Sequence, residues 1–590
     1  MAFTIRATLA ALVCVYVAAC DSGNNQVQAP DYTQDIVIDI PAVTLSGDFT
    51  LNNSDFPASF YNNGEISLQD TQNQAKTALG ETWEGGYSDF VIISGTYDST
   101  YAHLDGILVP QNGDATAASD QLIDMDQAHD VNVPRVIVVP TFTLDGNAFP
   151  ASVYNAAELF LRPTGSTELI SLGKTNLQPT DNTMVLPGVY DVIYSIREGD
   201  QLPQNEYAVV MRSVNVSTTP HVLNVDIESA SFHGTWRLAV DGILGEFPSS
   251  VYHSGEYSLQ NNNGDYVALG PTHMSAGPIA AITGTYNIVY SHLEGDLVPQ
   301  NKGTVFNRNF VLPPGQTIYE DIIDAWTVIP SFSLDGSAFP ASVYESGEIF
   351  LKDRDTDALT SLGSTYNAPA SLMIIDGEYD VVYNHDGGET IPQNNGAVLP
   401  DSVVVDEADE AANIDVDSVT VQGDFMLDGD SFTESVYHTA EFNLYKNGGG
   451  TPILLGKTYK ETEPVVILAG NYDVVYEHID GALVPQNLHH VMLAGQAYTG
   501  DATIDVNVLT RSVRPQFTLN GQPFPASPYE HADYYLLGNH PDDYAHLSSS
   551  SAQGEEALVI QGNYDAVYRF LQGSIVPRNT EAVVGQVQVD

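Results

Sequence analysis

The sequence is poor in cysteine, in basic residues and in tryptophan, and each shortage restricts what the protein does. Its 590 residues include two Cys, three Trp, and 19 Lys and Arg against 76 Asp and Glu, for a formal net charge of −57. Charged residues make up only 16% of the chain, below the roughly 25% of ordinary soluble proteins, so the acidity comes from missing Lys and Arg. A surface this negative repels phosphates, which excludes nucleic acids and makes anionic headgroups poor partners.

Catalytic signatures are also missing. The sequence contains no G-x-S-x-G, no H-E-x-x-H and no phosphate-binding glycine loop. We therefore expect a protein that is not an enzyme and that has no cofactor other than a possible Ca²⁺. One alternative is an activity confined to a single divergent part of the chain. The candidate region contains Trp236 and a short insertion near Gly245.

The first 34 residues read as a targeting segment. Arg6 precedes an apolar run that is too short to cross a bilayer, as in a signal peptide. Val17-Ala18-Ala19-Cys20 resembles the lipobox of bacterial lipoproteins. The resemblance implies removal of residues 1–19, acylation of Cys20 with chains such as palmitate, and a polar tether over residues 20–34. It also implies attachment to a lipid bilayer in the bacterial cell envelope, on the periplasmic or the outer face.

The body of the chain is one unit repeated six times. A G-x-Y block followed by P-x-N begins at Gly95 and recurs at intervals of 93, 96, 93, 93 and 92 residues. An upstream F-P-A-S-x-Y block keeps nearly the same interval. A short alternating stretch, such as DIVIDI from Asp35, precedes the first F-P block and has relatives before later F-P blocks. If each unit begins with this stretch, the repeats span 35–127, 128–220, 221–318, 319–410, 411–501 and 502–590.

Each repeat has the pattern of an all-β domain. Strand-like alternation of β-branched and aromatic residues is separated by Gly and Pro turns, and no helical stripe persists. Several short strands in about 93 residues predict a β-sandwich. The stretch LPGVYDVIY at 186–194 resembles a block of transthyretin-like (prealbumin-like) sandwiches, which include carboxypeptidase regulatory-like domains and Cna-B stalk domains. The predicted fold is six tandem transthyretin-like or Ig-like sandwiches, which reach about 200 Å if arranged in a row.

Aspartates recur near the predicted domain starts and in an L-D-G turn. Calcium prefers carboxylate and carbonyl oxygens, and Asp-Gly also suits a tight turn for purely structural reasons. The candidate calcium ligands are Asp145, Asp335, Asp428, Asp415 and Asp505. Three histidines in a Y-x-H-x-(D/E)-G hairpin, namely His103, His292 and His478, provide too few ligands for a metal and are expected to be structural.

Tyrosine is abundant, at 32 residues, and most tyrosines fall in the two repeated blocks. Packed aromatics whose hydroxyls bind backbone are the favoured interpretation, and platforms for sugars are the alternative. We therefore expect a membrane-anchored envelope lipoprotein that acts as a structural stalk or as an adhesive surface for a glycan or cell-surface partner. The alternatives are a polysaccharide-binding lipoprotein, favoured if exposed aromatics line one face of several domains, and a calcium-stiffened adhesin.

Overall fold

The computed structural model describes residues 33–177, 182–217, 219–261, 264–274, 277–406, 410–525, 527–540, 542–550 and 554–590. These residues form β-strands joined by turns, with a single-turn 3₁₀ helix at Thr82–Glu84. The fold is all-β, as predicted. Within these ranges, no helix is long and apolar enough to cross a membrane.

The strands of the first half of the chain fall into three two-sheet domains. The N-terminal strand is β1 (Thr33–Ile40). Domain 1 contains β2 (Ala42–Leu51), β3 (Ser54–Asp55), β4 (Asn63–Asp70), β5 (Lys76–Glu81), β6 (Gly86–Ile93), β7 (Gly95–Asp105), β8 (Ala115–Ile123), β9 (Gln127–Ala128) and β10 (Val131–Val133). Domain 2 contains β11 (Val136–Leu144), β12 (Asn147–Ala148), β13 (Ala156–Pro163), β14 (Ile170–Lys174), β15 (Thr183–Val185), β16 (Gly188–Glu198), β17 (Ala208–Val216) and β18 (His221–Ile227). Domain 3 contains β19 (Ser229–Val240), β20 (Ile243–Glu246), β21 (Ser254–Gln260), β22 (Tyr266–Pro271), β23 (Ile279–Ile282), β24 (Gly284–Glu294), β25 (Thr304–Leu312) and the first half of β26 (Gly315–Leu334).

The second half of the chain repeats the arrangement. Domain 4 contains the second half of β26, then β27 (Ser337–Ala338), β28 (Ser346–Asp353), β29 (Leu359–Ser364), β30 (Leu372–Ile375), β31 (Gly377–Gly387), β32 (Ala397–Val405) and β33 (Glu410–Val416). Domain 5 contains β34 (Ser418–Leu427), β35 (Asp430–Ser431), β36 (Thr439–Lys446), β37 (Ile453–Lys457), β38 (Val465–Leu468), β39 (Gly470–Asp480), β40 (Asn487–Leu488), β41 (His490–Tyr498) and β42 (Ala502–Val508). Domain 6 contains β43 (Thr510–Leu519), β44 (Gln522–Pro523), β45 (His531–Leu537), β46 (Tyr544–Ser549), β47 (Ala557–Ile560), β48 (Gly562–Gln572) and β49 (Ala582–Val589).

Each domain is a sandwich of two sheets around its own core. In domain 2, one sheet is antiparallel in the order β14-β13-β16-β17. The other is built on the opening strand β11, with β12 and β15 antiparallel on one edge and β18 parallel on the other. The inward-facing side chains of both sheets form one apolar cluster per domain. The period-two alternation of the strands therefore places one face in a core and the other in solvent.

The strand pairing shifts the domain boundaries from those expected. The alternating stretch that was assigned to the start of each repeat instead closes the preceding domain, as a strand parallel to that domain's opening strand. Thus β10, from the DVNVP stretch at Asp130, pairs with β2 of domain 1, and β18 pairs with β11 of domain 2. The alternation identifies a half-buried strand but does not specify which sheet it joins.

The same pairing closes the chain on itself. In domain 6 the place of the closing strand is occupied by β1, which runs parallel to β43 from the pair Thr33–Ser512 to the pair Ile40–Leu519. A single residue, Pro41, then leads into domain 1. The first strand of the described residues therefore completes the sixth domain, and the six sandwiches form a ring instead of the extended row that was expected.

The junctions between neighbouring domains explain why G-x-Y and P-x-N recur together in every unit. The Asn of each P-x-N turn is buried and reaches into the next domain, where its amide nitrogen donates to the hydroxyl of the G-x-Y tyrosine. At the first junction, Asn112 Nδ2 lies 3.0 Å from Tyr190 Oη, and Asn112 Oδ1 accepts from the Leu186 amide (2.8 Å). The equivalent pairs are Asn205–Tyr286, Asn301–Tyr379, Asn394–Tyr472, Asn487–Tyr564 and Asn579–Tyr97.

The sixth junction joins the last domain to the first with the same geometry. Asn579 Nδ2 donates to Tyr97 Oη (3.0 Å), and the Ile93 amide donates to Asn579 Oδ1 (2.8 Å). Ile93 of domain 1 also completes the apolar core of domain 6, as Ile282 of domain 3 completes that of domain 2. Six equivalent junctions that return to the starting domain require a closed, pseudo-sixfold arrangement.

Candidate binding surface

Three of the predicted calcium ligands connect neighbouring domains. Asp145, Asp335 and Asp428 occupy the left-handed residue of the hairpin that follows each opening strand. The carboxylate of Asp145 accepts from the backbone amide (2.8 Å) and the hydroxyl (2.6 Å) of Ser229, the first strand residue of domain 3. Asp335 binds Ser418, and Asp428 binds Thr510, in the same way.

At other junctions an uncharged asparagine side chain accepts the equivalent hydrogen bond from the next domain. Asn520 of domain 6 accepts from the Ala42 amide of domain 1 at 2.8 Å, and Asn52 accepts from the Arg135 amide at 3.0 Å. A short acceptor at this position therefore orients the next domain whether or not it carries a charge.

The other two candidates lie on closing strands. Asp415 accepts from the Ser333 hydroxyl (2.6 Å) and the Gly336 amide (2.9 Å), and these bonds lower the pKa of its carboxyl group. Asp505, on β42, is exposed and lies opposite Asp424 of β34. Of the five candidates, the structure brings together Asp335 and Asp415, which lie at the same turn.

The hairpin histidines contact backbone carbonyl oxygens of their own hairpins. Nε2 of His103 lies 2.8 Å from the Gly106 carbonyl oxygen, and His292 repeats the contact with Gly295 at 2.7 Å. In domain 5, His478 instead contacts the Pro485 carbonyl oxygen through Nδ1 (2.9 Å), and burial lowers its pKa.

The two sets of repeated tyrosines have opposite environments. The G-x-Y tyrosines are buried at the junctions, with their hydroxyls bound to backbone, and this half of the prediction is confirmed. The F-P-A-S-x-Y tyrosines were also expected to pack in cores, and for them the expectation is wrong. They lie in a turn with 67–82% of their surface exposed: Tyr61, Tyr154, Tyr252, Tyr344, Tyr437 and Tyr529.

We call this turn, together with the hairpin turn beside it, the tip of a domain. In domain 2 the tip consists of Val153 and Tyr154, both more than 60% exposed, beside Gly199 of the β16 hairpin. The two turns are in direct contact, because a Cβ atom built on Gly199 would lie 2.3 Å from the Tyr154 carbonyl oxygen. Glycine is thus required here both by this close approach and by its positive φ of 101°.

Four of the six tips carry additional exposed aliphatic residues on the hairpin turn. Domains 2 and 4 have polar residues there, whereas domains 1, 3, 5 and 6 expose Leu or Ile. These residues are Leu104, Ile107 and Leu108 in domain 1, Leu293 and Leu297 in domain 3, Ile479 and Leu483 in domain 5, and Leu571 and Ile575 in domain 6. An apolar patch at the same place in several domains is a feature of interaction surfaces.

The divergent third domain contains a cleft lined by aromatic residues and histidines. Trp236, Tyr257, His233 and His273 help to line a cavity of about 350 Å³, and the rings of Trp236 and Tyr257 stack at 4.5 Å. Domain 5 has a cavity at the equivalent place, beside Phe425. The cleft is therefore not confined to the third domain, which weakens the alternative of an activity unique to that domain.

Sequence reasoning missed the tips, although a signal was available. The two tyrosine blocks differ in their neighbours. Tyr190 lies in a run of alternating apolar residues, as a strand requires, whereas Tyr154 follows Pro150, Ala151 and Ser152 in a stretch typical of a turn. Cys20, the predicted lipidation site, lies outside the described residues.

The chain matches no protein-family model and no curated protein sequence. Solved structures with some likeness include the Bacillus anthracis TIE protein, with 11% identity over 76% of this chain and 74% of that chain and a TM-score of 0.14. A streptococcal ancillary pilin shares 8% identity over 48% and 98%, with a TM-score of 0.14. Two B repeat units of the Staphylococcus aureus collagen binding protein share 9% identity over 63% and 100%, with a TM-score of 0.12. These TM-scores are too low to support a conclusion about this chain, so its fold assignment rests on its own strand pairing.

Proposed function

We propose that the protein is a non-catalytic, adhesive component of the bacterial cell envelope and that its six tips bind a neutral polysaccharide. The observation that carries the proposal is the exposure of an equivalent tyrosine in all six domains. Because the six junctions are alike, the rotation that relates one domain to the next also carries each tip to the next, which arranges the tips in a circle.

The chemistry of the tips suits sugars better than charged partners. A tyrosine offers a flat apolar face and a hydroxyl that donates and accepts hydrogen bonds, which matches the alternating CH and OH groups of a sugar ring. The net charge of −57 repels polyanions at low salt, which favours a neutral polymer.

The spacing of the domains favours an extended partner. Leu144 pairs with Ile227, so the opening strand of domain 3 begins about ten residues beyond that of domain 2. At about 3.3 Å per residue this corresponds to roughly 30 Å between neighbouring domains. A polymer that spans two tips gains affinity from the second contact by effective concentration, even when each contact is weak.

Retention of the purified protein on columns of immobilised neutral polysaccharides tests this function. A variant with Ser at all six tip tyrosines is expected to lose retention, and variants with one or two changes to lose it progressively. Tyr207→Ser and Tyr366→Ser are matched controls, since these tyrosines are also exposed but lie outside the tips. Equal retention of the six-site variant and the wild type would contradict the proposal.

Lipid attachment through Cys20 is the second part of the proposal, supported by the lipobox resemblance of residues 17–20. Stable anchoring takes more than one acyl chain, and the lipoprotein class carries two or three. The Cys20→Ser variant is expected to move from the membrane to the soluble fraction. Mass spectrometry that finds no acyl chains on the N-terminal peptide of the wild type would contradict this part.

Calcium stiffening stays a prediction, favoured by the Asp335 and Asp415 carboxylates at one turn. Thermal melting of the chain with millimolar Ca²⁺ and with chelator, at matched ionic strength, tests it. A rise of many degrees that Mg²⁺ does not reproduce would support a calcium-stiffened adhesin, and coincident melts would leave these aspartates as domain connectors alone.

A further inference from the structure

The junction between domains 5 and 6 differs from the other five in its side chains. Two residues after the P-x-N asparagine, Gly303 and Gly396 adopt a positive φ at the junctions that follow domains 3 and 4. At the equivalent position stand Tyr207 after domain 2, with φ of 57°, and His489 after domain 5, with φ of 50°. A left-handed conformation is unfavourable for a residue with a Cβ, and such positions are concentrated at functional sites.

His489 meets two metal-ligating residues from the neighbouring domain. One ligand atom from each of His489, His540 and Asp542 lies within 4.8 Å of the others, and within the described ranges this is the one such group of three or more. The ring centroids of His489 and His540 lie 4.8 Å apart, with the ring planes tilted by 31°. His489 belongs to domain 5, and the other two belong to the β45–β46 turn of domain 6.

A carboxylate orients the first histidine for coordination. Nδ1 of His489 lies 3.2 Å from Oε1 of Glu477, and the backbone amide of His489 donates to Oε2 of the same residue (3.0 Å). A proton shared between Nδ1 and the carboxylate leaves the lone pair on Nε2. A metal-binding histidine nearly always has such a partner on its other ring nitrogen.

A second contact holds the domain 6 turn in place over His489. Nδ1 of His490 lies 2.9 Å from Oδ2 of Asp543, a buried residue that follows Asp542 directly. The backbone amide of Asp543 donates to the His540 carbonyl oxygen (2.9 Å), which tightens the turn that carries both ligands. In addition, β40 pairs with β46 across this junction.

We propose that His489, His540 and Asp542 bind one divalent transition metal, with zinc as the best match, and that the ion links domain 5 to domain 6. Two imidazoles and a carboxylate, with water as a fourth ligand, suit tetrahedral Zn²⁺, whereas Ca²⁺ and Mg²⁺ prefer oxygen ligands alone. The side chains of His540 and Asp542 are exposed, so an ion has access from solvent.

Zinc binding by the full chain, stripped with chelator and dialysed, tests the site. The stripped wild type is expected to take up one Zn²⁺ per chain when zinc is added, measured by titration calorimetry and, after dialysis, by elemental analysis. It is also expected to melt at a higher temperature with Zn²⁺ than with chelator. His540→Ala is expected to lose the ion. Glu477→Gln is expected to weaken binding 10–100-fold.

His489→Gly separates metal loss from misfolding, because it introduces the glycine that stands at the junctions after domains 3 and 4. This variant is expected to melt no lower than the wild type in chelator, and yet to lose the Zn²⁺-dependent rise. His221→Ala, a histidine on β18 in domain 2, is the control and is expected to bind like the wild type. No zinc on the wild type, or full zinc on His489→Gly and His540→Ala, would overturn the proposal.

Discussion

The two sets of repeated tyrosines, one in the G-x-Y strands and one in the tips, differ in burial and in hydrogen bonding. Tyr472 on β39 faces the core, is fully buried and has a hydroxyl held by Asn394 of the preceding domain and by the Leu468 carbonyl oxygen. Tyr437, in the tip of the same domain, has 73% of its surface exposed. The buried set joins the ring together and the exposed set remains available for partners. Recurrence in a sequence therefore shows that a residue is needed in every unit, but not whether for packing or for binding.

Alkaline pH should affect the buried set most strongly. In every domain, burial raises the pKa of the G-x-Y tyrosine and of a second tyrosine four residues further along the same strand. For Tyr472 the pKa is raised to about 12, from a usual value of about 10. Up to about pH 10 both states keep the proton. Above it the unfolded chain loses the proton first, so stability falls as pH rises towards 12, by up to about 1.4 kcal/mol per pH unit for each tyrosine. Denaturant titrations at pH 9, 10 and 11 measure this fall. The six-site tip variant should show the same fall, and a smaller one would mean that the tip tyrosines also pack.

Truncation of a single buried tyrosine should have the next largest effect. The second tyrosine of β39, Tyr476, is buried in the core of domain 5, and its hydroxyl donates to the Pro485 carbonyl oxygen (2.9 Å). Tyr476→Ala is expected to destabilise its domain by about 3–5 kcal/mol, whereas Tyr437→Ala in the same domain is expected to change stability by less than about 0.5 kcal/mol. Chemical denaturation with limited proteolysis measures the pair, and similar losses would remove the distinction between the two sets.

Loss of a junction asparagine should cost less, and it tests the closure of the ring. Asn394→Ala and Asn579→Ala each leave a buried backbone amide, that of Leu468 or of Ile93, without its acceptor. Each is expected to cost about 1–3 kcal/mol. Thermal melting compares the two variants. In an open row of domains, Asn579 would have no partner and its replacement would have almost no effect, so equal losses indicate the closed ring.

The smallest effect on stability is expected from Tyr344→Ser in the tip of domain 4, where 82% of the tyrosine surface is exposed. Its melting temperature should match that of the wild type, because no packing is lost. Retention on polysaccharide should nevertheless decrease slightly, since one of six contacts is removed. A large drop in melting temperature would assign this tyrosine a structural role.

The sequence supports the fold class and the repeat well, because both depend on local patterns. Alternation along the G-x-Y strand, with Gly188 before it, predicts a strand anywhere in a fold. The partner of DIVIDI could not be predicted in the same way. Its pairing with β43 joins residues nearly 480 positions apart, and nothing in an alternating stretch specifies so distant an edge.

The candidate sites were predictable to different degrees. The L-D-G aspartates were located correctly in a turn, but their role as connectors depends on Ser229 and Ser418, which only the fold brings near. The exposure of Tyr154 could have been inferred from its turn-like neighbours. The meeting of His489 with His540 could not, because it needs two domains in contact.

The pairing of β1 with β43 also has consequences for assembly of the protein and for the way it hangs from a surface. β1 is made before the other described strands, but its place exists only once the opening strand of domain 6 has been made, so the ring is completed last at a single seam. Until then β43 is an open edge, on which β1 of another molecule can pair instead and link chains end to end. β1 is the described strand nearest in sequence to Cys20, so an anchor there would suspend the ring at this seam. The point of suspension would then be the one place where the ring can open, and tension on the anchor would pull directly on the strand that keeps it shut.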